Sequence, residues 1–347
     1  MLTSADRGEG DKFAIGLAAS VKRRRRHFSI AGWLLVGARV SWRHQRNCGR
    51  LQVFWNAANS PHPYALGAYS IPYPPTALIW FQPLAHVDFW LGFALWVALS
   101  LVTFTVAGLR LFPGRVMALS LISPIVFRGA MLGQTPLLLT AALFLGFSGG
   151  SIAAGFAVGL VAGIKPQLVF LAPLVFVARR DWRAIIAAAA ALLLSVLIEL
   201  AYFGQAFWSA WIAMLPRFHQ TLVNDKVFTS CISFGGLAEG NGLPFLPIFV
   251  ATLLLASYLA FRLAPRFEGG TLLGLVVGCS AVAAPYSLPH DVVALVPVAG
   301  GIILAKPRLA SFPAIMFFTW ASPFLATLTS IALAFRSLGA RQPTISA

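Results

Sequence analysis

Lys165 stands in the run Lys165-Pro166-Gln167, between two strongly apolar stretches at 151–164 and 168–178. An ammonium at membrane depth is costly to hold and marks a functional site by default. Its natural ligand is an anion such as a lipid phosphate. Arg128 is a second cation at similar depth, and Gly133-Gln134 and Gln167 set amide donors and acceptors beside the two. Lys165, Arg128, Gln134 and Gln167 therefore form a candidate phosphate-binding set. Two plainer readings stay open: the cations snorkel to the headgroups, and the amides satisfy backbone exposed at helix breaks. His290-Asp291 follows Pro285-Tyr286-Ser287-Leu288-Pro289. A histidine beside a carboxylate at a cavity edge can position or exchange a proton. Alternatively, Asp291 caps the following helix. Trp55, Tyr64, Tyr69, Tyr73 and Trp80 form either an interfacial aromatic belt or a platform for a sugar or isoprenoid. No P-loop, zinc motif or nucleophile elbow occurs, so no motif calls for a metal or other cofactor.

These residues must be held by membrane spans. The chain has 347 residues, 59% hydrophobic and only 10% charged, where soluble domains carry roughly 25% charged residues. Residues 184–203, 245–260 and 312–335 are long apolar runs, and about 20 apolar residues cross the hydrocarbon core. The expected fold is an all-α, polytopic transmembrane helical bundle with several short or broken helices. Net charge is +16, but the basic residues come in short bursts between apolar runs, which argues for membrane topology rather than nucleic-acid binding. Cys48, Cys231 and Cys279 have no metal or disulfide spacing and read as small apolar filler. Glu199 lies in the run 184–203, near its end, where it is expected to reach water.

The basic clusters are Lys22 to Arg26, Arg110 with Arg115, Arg179-Arg180 with Arg183, Arg262 with Arg266, and Lys306 with Arg308. The positive-inside rule puts all five in the cytoplasm. The span from about 89 to 109 then runs inward, after a proline-broken, re-entrant or interfacial piece at 76–84. Between Arg115 and Arg179 lie four apolar pieces, 116–127, 136–147, 151–164 and 168–178. Breaks are expected at 128–135, at Gly149-Gly150 and at Lys165 to Gln167. The run 184–203 goes outward to a polar loop at 204–243, and 245–260 returns. Residues 272–285 go out, 286–291 turn, and 292–305 come back. The polar segments then converge on the outer face of the plasma membrane.

The pattern resembles glycosyltransferase family 87. The resemblance rests on Trp55-Asn56-Ala57-Ala58, Pro63-Tyr64, Tyr73-Pro74-Pro75, Gly133-Gln134, Lys165-Pro166-Gln167, Arg179-Arg180-Asp181-Trp182-Arg183 and Pro289-His290-Asp291, in that order over residues 51–304. It implies a GT-C-type membrane fold. It also implies a hexosyltransferase that moves a sugar, often mannose, from a polyprenyl-phosphate donor to a lipid or glycan acceptor. Lys165, Arg128, Gln134 and Gln167 would hold the donor phosphate. His290 and Asp291 would stand at the reacting centre, and Trp55, Asn56, Tyr64 and Tyr73 would meet acceptor or sugar.

One feature of the family is missing. An aspartate is expected early in the first outer loop as general base, yet no acidic residue occurs between Asp11 and Asp88. Residues 1–50 form an atypical basic segment with one marginal span, 28–42, ahead of the GT-C-like domain at 51–347. Their arginine-rich, patternless character fits a shifted reading frame or wrong start. Two alternatives stay open: the chain is an inactive relative, or Asp225 or Asp291 has taken over the base role. A lipid or solute transporter or flippase is the competing function class, since it too would carry broken helices and buried cations.

Overall fold

Proline and glycine decide where the helices of this chain stop. The computed structural model describes residues 50–66 and 71–305, which are helices, turns and connecting loops. No strand occurs among the described residues. They belong to one compact unit that begins at Arg50; the segment Met1–Gly49, the run 312–335, Tyr69, Cys48 and the clusters at Lys22 and Lys306 lie outside the described residues. The chain opens with α1 (Arg50–Ala58), then a 3-10 turn at Pro75–Ala77 and the single-turn α2 (Leu78–Phe81). The remaining helices are α3 (Phe89–Gly108), α4 (Gly114–Leu121), α5 (Pro124–Met131), α6 (Pro136–Ser148), α7 (Ser151–Ile164), α8 (Ala172–Ala178), α9 (Trp182–Phe203), α10 (Gln205–Asn224), α11 (Phe234–Gly240), α12 (Phe245–Leu263), α13 (Gly269–Ala283) and α14 (Leu295–Ala305).

Three of these elements are long and apolar enough to cross a bilayer: α3, α9 and α12 with its 3-10 extension to Arg266. At 1.5 Å per residue, 20 to 22 residues reach about 30–33 Å, the thickness of the hydrocarbon core. On α3, Gly92, Trp96, Ser100, Phe104 and Ala107 are buried, while Leu91, Leu95, Leu99, Val102 and Val106 are exposed on the other face. A water-facing helix would carry polar residues there. Apolar rows of this kind, repeated on α9 and α12, are lipid-facing. The protein is a polytopic transmembrane helical bundle.

The tightest packing joins α7 to α9, and glycine makes it possible. Gly155, Gly159 and Gly163 recur every fourth residue and so share one face of α7. A Cβ on Gly155 would overlap the Ala184 carbonyl oxygen, and one on Gly159 the Ala188 carbonyl oxygen. A Cβ on Gly163 would lie 3.6 Å from Leu192 and 3.7 Å from Ser195, in ordinary contact. Small residues at this spacing let two backbones touch within a membrane. The pairing of 155 with 184, 159 with 188 and 163 with 192 also makes α7 and α9 parallel. The segment between them, 165–181, must therefore return across the bundle.

Parallel packing also recesses Lys165. It follows α7 at the level of Ser195, while α9 continues more than two turns further to Phe203, or about 12 Å at helical rise. The opposite end of the bundle is basic. Arg179 Nη1 donates to the carbonyls of Ala264 (2.8 Å) and Phe267 (2.6 Å). Leu111 and Phe112 pack against Gly269 and Gly270. Arg110, Arg115, Arg179, Arg262 and Arg266 thus gather at one end, away from Lys165.

Several expectations are corrected. The break expected at 128–135 is present but begins only at Leu132, and the piece expected whole at 116–127 is itself broken by a 61° bend between α4 and α5. Pro124 starts α5, and Arg128 lies within that helix. Proline suits the first helical turn and disfavours helix in the residue before it, so Ser123 is extended. The stretch expected as a polar loop at 204–243 contains α10, a 20-residue helix with Pro216 inside it. Glu199 does not reach water. It is fully buried, because α10 folds back so that Trp208 Nε1 donates to its Oε2. The proline-broken piece expected at 76–84 is present, as two 3-10 turns flanking α2, and it is packed, with Thr76, Ala77, Leu78, Phe81 and Leu84 buried. Thr76 donates its hydroxyl to the Gly163 carbonyl, which ties the piece to the end of α7.

Gly159→Leu forces a side chain into the α7–α9 contact. Overpacking of this kind costs about 1–3 kcal/mol, so thermal unfolding in detergent is expected at a clearly lower temperature. Gly301→Ala, where a Cβ meets nothing within 4 Å, is expected to leave the unfolding temperature unchanged or slightly raised.

Candidate functional site

Lys165 owes its position to the residue after it. Pro166 disfavours helical backbone at the preceding residue, and Lys165 has φ −145° and ψ 74°. α7 therefore ends there, and the lysine turns inward instead of lengthening the helix. Its side chain is 6% exposed and forms an ion pair with Asp291. The ammonium also lies 5.7 Å from the centre of the Tyr73 ring, within range of a cation–π contact.

Asp291 arrives from a second break. Ala284 ends α13 in extended backbone ahead of Pro285, and the chain enters the 3-10 turn Pro289–Val292. The carboxylate is fully buried. Oδ1 takes the Lys165 ammonium, while Oδ2 accepts the Leu288 N–H at 2.9 Å and faces the Ser287 hydroxyl at 3.5 Å. Oδ2 thus closes the 3-10 turn that contains Asp291, not the helix that follows as expected, while Oδ1 faces the lysine. His290 Nε2 lies 3.7 Å from Oδ1, and the ring is 12% exposed.

Gln134 is delivered by the end of α5. Gly133 has φ +61°, the left-handed conformation that favours glycine. The Gly133 N–H bonds to the Ala130 carbonyl and the Gln134 N–H to the Gly129 carbonyl, both at 2.9 Å. That pair of bonds is the Schellman ending of a helix. A Cβ on Gly133 would sit 2.6 Å from Leu51 Cβ, so glycine is also needed for α1 to close against this turn.

These groups share one cavity of about 210 Å³. Lys165, Gln134, Gln167, Tyr73, His290 and Asp291 all line it. Six residues chosen from sequence, 126 positions apart at the ion pair, come together. Four do not reach it. Arg128 sits on an exposed face of α5 outside the lining. The indole of Trp55 donates to the Val87 carbonyl (3.2 Å) and meets Phe89 edge-on. Asn56 is half-buried outside the lining. Tyr64 is buried behind it and donates to the Tyr73 carbonyl at 3.2 Å. Burial, and then the Glu199 carboxylate, push the Tyr64 phenol above its ordinary range, so it remains a donor. Trp80 is half exposed, as a residue of an interfacial belt would be. Asp225 is exposed at the end of α10 and lines nothing here.

The residues missed from sequence are mostly apolar. Trp211, Leu215, Phe218 and Leu222 of α10 form one wall, with Val53, Phe54, Tyr286 and Leu288 around them. The signal was present, because 211, 215, 218 and 222 keep helical spacing. Thr135 was also missed; its hydroxyl pairs with that of Tyr73 at 3.0 Å and fixes the ring under Lys165. Cys231 and Cys279 are buried free thiols. Burial pushes the Cys231 thiol up to about 11, so it is unreactive near neutral pH.

A recessed cavity with an ammonium–carboxylate pair at its polar end and an apolar wall beside it suits an amphiphilic anion. The model of glycosyltransferase family 87 matches residues 71–287, more than half of the sequence. The chain belongs to glycosyltransferase family 87, a family of membrane glycosyltransferases. Lys165, Arg128, Gln134, Gln167 and Tyr73 lie inside the matched span, while Trp55, Asn56, Tyr64, His290 and Asp291 lie outside it. Neither a curated protein nor a solved structure matches the chain.

Removing one partner of a buried ion pair strands the other, at a cost of about 3–5 kcal/mol, whereas replacing both with apolar residues is far milder. Lys165→Met and Asp291→Leu are therefore each expected to lower the unfolding temperature in detergent. The double variant Lys165→Met/Asp291→Leu is expected to recover most of the loss. Losses that simply add would show that the two side chains are not coupled.

Proposed function

We propose that this glycosyltransferase transfers a hexose, mannose by its resemblance to the family, from a polyprenyl-phosphate donor to a lipid or glycan acceptor. The reaction is assigned to the outer face of the cytoplasmic membrane. The observation that carries this reading is the recessed cavity that joins Lys165 to an apolar wall on α10. A polyprenyl phosphate has matching parts, one anionic head and a long apolar tail. The sidedness rests on charge. Arg110, Arg115, Arg179, Arg262 and Arg266 gather at the end opposite Lys165, and the positive-inside rule assigns that end to the cytoplasm.

In this reading Lys165 neutralises the donor phosphate, with Gln134 and Gln167 as hydrogen-bond partners. Arg128 belongs to the approach rather than to the phosphate subsite, because it does not line the cavity. Trp55, Asn56 and Tyr64 support the Tyr73 loop and α1 behind the cavity. Tyr73 is the aromatic surface that a sugar would meet. His290 and Asp291 stand where the acceptor hydroxyl must lose its proton. The hydroxyl oxygen attacks the anomeric carbon, the bond from that carbon to the phosphate oxygen breaks, and the electron pair leaves on the phosphate. Lys165 then faces a growing negative charge, which is the condition for stabilising a transition state more than a ground state.

The test uses full-length protein in nanodiscs with radiolabelled polyprenyl-phosphate-mannose and a membrane-lipid extract. Label is expected in a new glycolipid, and Lys165→Ala is expected to reduce transfer by roughly two to three orders of magnitude, the usual loss of a transition-state charge partner. In a parallel assay with the protein in sealed vesicles, label that crosses the membrane without any new covalent product would instead identify a transporter.

A further inference from the structure

The ammonium assigned to the donor is not vacant. It is paired with Asp291, and Asp291 is the one carboxylate lining the cavity among the described residues. A phosphate that enters meets a neutral pair, and two anions cannot share that space with one ammonium at no cost. We propose that the donor phosphate displaces Asp291 from Lys165, and that the carboxylate so released takes the proton of the acceptor hydroxyl. This rests on the donor reading above and adds to it the order of events and the identity of the base.

Three features of the site suit such an exchange. First, Asp291 is anchored without lysine. Oδ2 keeps the Leu288 N–H and the Ser287 hydroxyl, so release frees Oδ1 alone and leaves the turn in place. Second, Lys165 has a stem of four methylenes and a second contact, the Tyr73 ring at 5.7 Å. It can swing to a phosphate without leaving the cavity. Third, His290 Nε2 is 3.7 Å from the same Oδ1 and can pass the proton onward from it. The other acids raised by the sequence are elsewhere: Glu199 takes the Trp208 indole, and Asp225 is exposed.

The step balances. The acceptor oxygen gains the bond to the anomeric carbon and gives its proton to Asp291 Oδ1. The anomeric carbon loses its bond to the phosphate oxygen, which keeps the electron pair. Asp291 ends neutral, and the polyprenyl phosphate ends with one more negative charge opposite Lys165. Before the donor arrives, the carboxylate is tied to the ammonium and is a poor base. The acceptor is then activated only when the sugar is in place.

Equilibrium binding of radiolabelled polyprenyl phosphate to full-length protein, in nanodiscs of uncharged lipid, tests the exchange. Unphosphorylated polyprenol serves as the control. Asp291→Asn can still accept the Leu288 N–H but cannot neutralise the lysine. It is expected to bind polyprenyl phosphate at least tenfold more tightly than wild type while losing transfer by roughly a hundredfold or more, the range for loss of a general base. Lys165→Ala is expected to bind no better than polyprenol does. Wild-type binding with equal or weaker binding by Asp291→Asn overturns the displacement but leaves the donor reading standing. No phosphate-dependent binding in either protein overturns both. One arm needs no variant: the chain has only 10 acidic residues, so a carboxylate shift should be visible in the infrared difference spectrum when polyprenyl phosphate is added to wild type. An unchanged carboxylate region overturns the proposal.

Discussion

An ammonium and a carboxylate taken out of water each lose hydration worth several kcal/mol, and their attraction repays this only if the geometry is close and every other polar atom is satisfied. The pair Lys165–Asp291 meets that condition through its surroundings. Oδ2 of the carboxylate is held by backbone and serine, and the lysine is backed by the face of Tyr73. Tyr73 is in turn held by Thr135 through its hydroxyl, and by Tyr64 through its carbonyl. The pair thus fastens the end of α7 to the turn before α14, and its supports fasten the loop before α2 to the start of α6. Without it, the breaks at Lys165 and Pro289 would be separate defects in a membrane bundle. With it, they form one cavity.

The depth of that cavity comes from a different constraint. Glycines at 155 and 159 let α7 lie against α9 with backbones in contact. A short α7 beside a long α9 leaves Lys165 below the level that α9 reaches. A larger residue at either position would lift α7 away, and the lysine with it. Irregular backbone at such depth survives only against protein or a wet cavity. Here it lies against protein and lines a cavity, which α10 covers with Trp211, Leu215, Phe218 and Leu222. α10 is itself tied down by Trp208 on the buried Glu199.

How far the sequence reveals this depends on whether a feature is local. Lys165-Pro166 is a local break, and proline sterics make it legible. Gly149-Gly150 is another. The all-helical membrane fold follows from composition and from apolar runs alone. The bend at Ser123-Pro124 is equally local, but the residues around it are uniformly apolar and give no change in polarity to mark it. α10 reads as a loop because its polar residues, Arg217, His219, Gln220 and Asn224, hide an apolar stripe on the opposite face. The ion pair is not legible in principle. Lys165 and Asp291 each read as functional, but nothing local says that residues 126 apart neutralise each other. Arg128 and Trp55 show the converse: residue type suggests a ligand, while helix phase and a neighbouring carbonyl leave both outside the cavity lining.

The pairing also changes what the absent first-loop acid means. The proposed transfer needs one group to accept a proton and one to meet the leaving phosphate, and a resting site with only a cation would leave the first task open. Here both charges are present but spent on each other. Net charge in the pair is zero at rest, which is what a low-dielectric site tolerates. A monoanionic donor adds one negative charge, and lysine can neutralise only one partner fully. In the proposed reaction the phosphate becomes more negative while the carboxylate gains a proton. The ammonium therefore interacts more strongly with the phosphate as the reaction proceeds, and less with the carboxylate. An interaction that grows toward the transition state lowers the barrier, whereas one of constant strength only tightens binding. A pair that costs stability at rest is thereby suited to charge that moves from one partner to an incoming third.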